Sequence, residues 1–178
     1  MKPARKHNRL PQFDYRQERL YYVTVCVKDM ACVFGEVRAE QMCLNAYGSV
    51  VEKQWQWLAE QYTYVVSHAF VVMPNHVHGI LEIKQVAEEA DLATAADTLS
   101  QGFPSAKAPK IKSLSELIGA FKTTSSKLIK QAGLPDFAWH RSFYDHIIRD
   151  ERGYEKIKDY IDTNPARWHE DRYRPGKE

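Results

Sequence analysis

Two histidines one residue apart, His76-Val77-His78, lie inside an extended apolar run. Side chains alternate faces along a strand, so both imidazoles project from one side and form a two-toothed clamp. Neutral imidazole is a good ligand for divalent transition metals, and two of them leave coordination positions open for a phosphate oxygen or water. Far downstream, Tyr160 and Asn164 stand four residues apart on what reads as the last helix, and so share a face. Asn164 offers an oxygen as a third ligand, and Tyr160 offers a hydroxyl aimed at the same cation. A phenol of reference pKa about 10 needs a cation or a base to attack phosphate at neutral pH, and a cation would also stabilise the charge that builds on the phosphate oxygens. Each feature has a plainer reading. A His-x-His pair also suits surface or hydrogen-bonded histidines, Tyr160 a core aromatic, and Asn164 the end of a helix before Pro165, whose ring disfavours helical geometry at the preceding residue.

The elements that must position these groups are legible in outline. Leu20 to Val27 is rich in β-branched and aromatic residues and reads as a strand. Ala46 to Gln61 places Val50, Val51, Trp55 and Leu58 at helical intervals. Tyr64 to Val72 and His76 to Ile83 read as extended, either as adjacent strands or as one strand bent at Pro74-Asn75. Ser113 and Glu116 form a Ser-x-x-Glu capping box for a helix through Leu117, Ile118, Phe121, Leu128 and Ile129, closed by Gly133 and Pro135. Phe137 to Ile148 reads as a short strand with its approach, and Asp150 can cap a final helix through Tyr154, Ile157, Tyr160 and Ile161. Between Gln85 and Lys112 the apolar period dissolves, apart from a short helical stretch near Glu88 to Ala96, which marks a mobile insertion or linker. This mixed order favours an α+β fold, a small ferredoxin-like antiparallel sheet with helices packed on it.

Composition narrows the classes further. At 178 residues and 44% hydrophobic content the chain suits one domain, spanning 1–178 with the insertion at 85–112. No run approaches the roughly 18 apolar residues of a membrane span, and the polar start excludes a signal peptide, so a cytoplasmic protein is expected. Cys26, Cys32 and Cys43 are odd in number and lack Cys-x-x-Cys spacing, which fits reduced structural thiols. The net charge of +2 says nothing for nucleic acid, but its distribution is uneven. Basic residues gather at Arg5, Lys6 and Arg9, at Lys107, Lys110 and Lys112, at Lys122, Lys127 and Lys130, and at Arg167, Arg172 and Arg174, while Glu88, Glu89, Asp91 and Asp97 lie elsewhere. Lys122 and Lys127 suit either DNA backbone neutralisation or a solvated helix face. Trp55, Trp57, Trp139 and Trp168 suit base stacking or the core. Tyr144 and Tyr154 have no amide four residues onward and read as packing residues; His140 and His146 suit proton transfer, phosphate binding or structure.

The segments Phe70-Val-Val-Met-Pro-Asn-His-Val-His-Gly-Ile-Leu81 and Arg141-Ser-Phe-Tyr-Asp-His-Ile-Ile-Arg149, with Tyr154 and Asp159-Tyr-Ile-Asp-Thr-Asn-Pro-Ala-Arg-Trp168, resemble the signature of the single-tyrosine HUH transposases, and most closely their REP-associated branch. The resemblance runs from about Leu20 to Trp168 without the insertion. It implies a divalent metal, Mg²⁺ or Mn²⁺, held by His76 and His78 and completed by Asn164. It implies Tyr160 as the nucleophile, on a C-terminal helix lying across a ferredoxin-like sheet. The activity implied is cleavage and rejoining of single-stranded DNA at hairpin or palindromic repeats through a 5′-phosphotyrosine, by a homodimer or a monomer. Asn164 stands where many relatives carry Gln. Two other classes remain open: a metal-dependent phosphodiesterase using water, and a non-enzymatic single-stranded nucleic-acid binding module.

Overall fold

The computed structural model describes residues 16–84 and 111–176. The expected helix near Glu88 to Ala96 and the basic residues Arg5, Lys6, Arg9, Lys107 and Lys110 lie outside them. In chain order the elements are β1 (Arg19–Cys26), β2 (Gly35–Arg38), β3 (Gln41–Leu44), α1 (Ala46–Gln61), β4 (Val65–Met73), β5 (His76–Ile83), α2 (Leu114–Gln131), β6 (Tyr144–Ile148) and α3 (Glu151–Thr163). Four strands form one sheet in the order β4-β5-β1-β6, antiparallel throughout. Without the β2–β3 hairpin the chain runs strand, helix, strand, strand, helix, strand, and the sheet order is that of a ferredoxin-like fold.

The alternation of β1 and β5 decides which chemistry faces which helix. Tyr21, Val23 and Val25 of β1 and Val77, Leu81 and Ile83 of β5 are buried against Val51, Trp55 and Leu58 of α1 and Leu117, Ile118 and Phe121 of α2. On the opposite face Tyr22, Ile80, Ile148 and Ala69 meet Tyr154, Ile157, Tyr160 and Ile161 of α3. His76 and His78 belong to this second face, directly across the strand pair from Cys26 and Thr24. A strand covered on both sides needs no polar alternation, and His76–Leu81 is buried without interruption.

Close packing under the histidines is unusually tight at Gly79. A Cβ there would lie 2.3 Å from Cζ2 of Trp55. The indole has nowhere to go: it stacks on Phe70 at 4.5 Å, meets Phe121 edge-on at 5.4 Å, and its Nε1–H donates to the Ser67 hydroxyl at 2.8 Å. Trp55 is therefore a core residue, as is Trp139, whose Nε1–H donates to Ser125 at 3.0 Å.

Several boundaries are those expected. Helix α1 spans Ala46–Gln61, capped by Asn45, and Ser113 and Glu116 form the reciprocal capping box of α2. The two runs around Pro74-Asn75 are adjacent antiparallel strands, not one bent strand. The β2–β3 hairpin carries no sequence signal because its turn uses Ala39 and Glu40 at φ of 45° and 64°, a left-handed pair normally advertised by Asn or Gly. At Asn164 the expectation from Pro165 fails: the residue is helical, with φ −57° and ψ −41°, and hydrogen bonds from Asn164 N to Ile161 O and from Arg167 N to Thr163 O carry the turn onward. The described cysteines are all free, but Cys32 and Cys43 are exposed and so are not buried structural thiols. Among the described residues no helix is long and apolar enough to cross a membrane.

Candidate functional site

The imidazoles of His76 and His78 are fully buried and their Nε2 atoms lie 3.0 Å apart. Asn75 fixes the orientation of the first. Its amide nitrogen donates to the carbonyls of Met30, at 3.0 Å, and Tyr173, at 2.7 Å, which uses both N–H groups. Its oxygen must therefore accept from Nδ1–H of His76 at 2.8 Å, which leaves the His76 Nε2 lone pair pointing into the site. His78 is held from the other side, its Nδ1 lying 2.8 Å from both the Tyr22 and the Thr24 hydroxyls, supplied by β1 on the same face. Both rings are thus gripped through Nδ1 and present Nε2, the arrangement that hydrogen-bond partners behind the ring impose on metal-binding histidines.

Burial also sets their charge. Desolvation, helped by the nearby Arg172 guanidinium, lowers the pKa of His76 to about 3. Desolvation, the His76 ring and Arg172 hold His78 well below the ordinary imidazole range. Both rings are neutral at physiological pH, the protonation state that a metal requires.

Helix α3 brings Tyr160 to the same point, with its hydroxyl 3.4 Å from Nε2 of His78 and its ring 5.2 Å from that imidazole. Burial first, and then the Asp171 carboxylate, raise the Tyr160 pKa, while a hydrogen bond from the Asn164 side chain and the Arg172 charge lower it. The unaided phenol is protonated at neutral pH. Asn164 is 2% exposed, and its Oδ1 is buried without a hydrogen-bond partner. One chain thus brings His76, His78 and Tyr160 together, with Asn164 buried at the end of the same helix and close enough to act on the Tyr160 hydroxyl.

The sequence reading missed Asp171. The short helical turn Trp168–Glu170 returns the chain over the sheet, and the Asp171 carboxylate reaches within 3.8 Å of His76 Nε2 at 1% exposure. One Asp171 oxygen accepts from Tyr173 N at 2.7 Å; the other, Oδ2, has no hydrogen-bond partner. His76, His78 and Asp171 offer three ligand atoms all within 4.8 Å of one another. Two imidazole nitrogens 3.0 Å apart, a buried carboxylate oxygen without a hydrogen-bond partner and a buried amide oxygen without one make up a donor set that suits a divalent cation. Tyr173 completes the wall, its ring 4.7 Å from His76 and 5.9 Å from His78. No sequence signal marked Asp171 or Tyr173, because they lie beyond the last helix in irregular chain.

Other candidates fall elsewhere. Lys122 donates to the carbonyls of His140, at 2.6 Å, and Arg141, at 3.1 Å, pinning the approach to β6, and so is not free for phosphate. His140 is exposed on that approach beside Ser142, and His146 is exposed on β6 opposite Tyr22. Tyr154 packs against α3's apolar neighbours and meets His68 at 3.3 Å, whereas Tyr144 is 42% exposed and is not a core residue.

No protein-family model matches the chain. A Haemophilus influenzae protein described only as uncharacterized is 34% identical over 170 residues, covering 94% of this chain and 91% of its own. A REP-associated tyrosine transposase solved bound to a REP hairpin superposes with a TM-score of 0.56 at 16% identity, over 94% of this chain and 74% of that one, a likeness that establishes a common fold.

Proposed function

The chain belongs to the same family as that Haemophilus influenzae protein, and we propose that its members are tyrosine transposases that cleave and rejoin single-stranded DNA at hairpin repeats. The observation that carries this reading is the Tyr160 hydroxyl, 3.4 Å from Nε2 of a buried, neutral histidine within a cluster of metal-type ligands. The structural neighbour's bound hairpin supports the choice of DNA.

In the proposed reaction Tyr160 Oη attacks the scissile phosphorus in line. The P–O bond to the 3′ oxygen breaks, leaving a 5′-phosphotyrosyl enzyme and, after the phenol's proton is passed on to the leaving oxygen, a free 3′-hydroxyl. A second 3′-hydroxyl reverses the step and releases Tyr160, so the ester bond is conserved and no nucleotide cofactor is needed. His76, His78 and Asp171, with Asn164 beside Tyr160, would hold Mg²⁺ or Mn²⁺, which when bound supplies Lewis-acid neutralisation of charge on phosphate and phenol. Asn75, Tyr22 and Thr24 keep the imidazoles in the receiving orientation, and the Asn164 amide favours ionisation of the attacking hydroxyl. Because both halves of the site come from one chain, a monomer suffices.

The test is incubation with Mg²⁺ or Mn²⁺ and end-labelled single-stranded hairpin DNA, followed by denaturing electrophoresis. Wild-type protein should carry labelled DNA covalently, and Tyr160→Phe should not. Cleavage that persists in Tyr160→Phe without any trapped adduct would make water the nucleophile. Binding that ignores both chelation and His76→Ala would reduce the protein to a nucleic-acid binding module.

A further inference from the structure

The mouth of this site carries a cation that none of the roles above employs. Asp171 is buried against His76, but the next residue, Arg172, is exposed. Its guanidinium lies 4.5 Å from the centre of the Tyr173 ring and donates to the Tyr173 hydroxyl. That ring in turn lies against His76 and His78. Among the described residues no carboxylate forms an ion pair with Arg172. Lys122, whose charge reaches Cys26 together with that of Arg172, is already committed to two backbone carbonyls. Arg172 is also the cation whose charge reaches His76, His78, Tyr22 and Tyr160 alike.

We propose that Arg172 grips the non-bridging oxygens of the scissile phosphodiester and neutralises the charge that accumulates on them as Tyr160 attacks. The inference rests on the phosphotyrosine reading and adds a phosphate-binding residue to it. A phosphodiester carries one negative charge and gains a second at the pentacoordinate stage, when the phenolate oxygen has joined and the 3′ oxygen has not left. Guanidinium matches two such oxygens in a planar fork and stays charged at any working pH. Its present bond to a neutral phenol is weaker than a charge-assisted bond to phosphate, so substrate entry exchanges one for the other.

The experiment uses the hairpin oligonucleotide cleaved in the adduct assay, resynthesised with a neutral methylphosphonate at the mapped scissile linkage. Single-turnover adduct formation is measured on both substrates for wild type, Arg172→Gln and Arg172→Lys, and Mn²⁺ affinity is followed by electron paramagnetic resonance. On the phosphodiester, Arg172→Gln should be slower by about 10²-fold, the scale of a lost oxyanion donor, with Arg172→Lys recovering part of the loss and Mn²⁺ affinity unchanged. On the methylphosphonate the ratio of wild type to Arg172→Gln should collapse towards one, because the substrate's own charge and one of the two oxygens the fork grips are gone. Equal slowing on both substrates would make Arg172 a brace for Tyr173 and overturn the proposal, as would an unslowed Arg172→Gln. Either result leaves the Tyr160 assignment standing if wild-type adduct forms; absence of that adduct overturns both.

Discussion

Two neutral imidazoles sealed inside a protein make its stability depend on pH, and His76 permits the size to be worked out. In the unfolded chain the ring titrates near its model value of 6.5, and in the folded chain near 3. Below pH 6.5 the unfolded state therefore takes up a proton that the folded state refuses. The unfolded state binds more protons, so stability falls as pH drops from 6.5 towards 3 and is fully present above 6.5. Integrating the linkage relation from pH 7 to pH 5 gives about 2 kcal/mol lost through His76 alone. His78 is shifted in the same direction, by the same principal cause, and adds to the loss. The assay is urea unfolding of chelated protein at pH 7 and pH 5, comparing wild type with His76→Gln. The variant is expected to start less stable but to lose about 2 kcal/mol less between the two pH values. Identical losses in the two proteins would mean that His76 is not held neutral by burial, and the account of the site's electrostatics would fail with it.

The ligand set and the packing beneath it each give a further expectation. Asp171→Asn, which keeps the shape and removes the charge, should weaken Mn²⁺ binding by at least about tenfold in a spectroscopic titration, as loss of a ligand or its support does; an unchanged affinity would return the third position to Asn164 alone. Gly79→Ala forces a methyl into the Trp55 indole and should cost about 1–3 kcal/mol in urea unfolding, with a changed tryptophan emission. A neutral result would show that the indole can retreat despite Phe70 and Ser67.

The parts of the site legible in the sequence were those carried on a regular period. His76 and His78 announce a shared face by spacing alone, and Tyr160 and Asn164 do so on α3. Ser113 with Glu116 announces a helix start, and Val23, Val25 and their neighbours announce a strand. What escaped was whatever depends on pairing register or on irregular chain. Tyr22 and Thr24 become partners of His78 only once β1 lies against β5 in a particular register. Asp171 and Tyr173 return to the site through a turn with no apolar period. Asn75 looked like a turn residue beside Pro74, and it is one, but its amide joins three segments at once. Lys122 misled because an exposed helix position and a lysine bonded to carbonyls look alike in a sequence.

That amide of Asn75 also ties the completeness of the site to the C-terminal end of the described chain. One of its bonds reaches Tyr173, 98 residues further along the chain. A molecule whose sheet has already formed but whose residues 171–173 are still undocked has both imidazoles in register, yet lacks a carboxylate, an aromatic wall and an arginine. Such a molecule is chemically incomplete, so competence depends on the docking of this C-terminal turn as much as on the sheet.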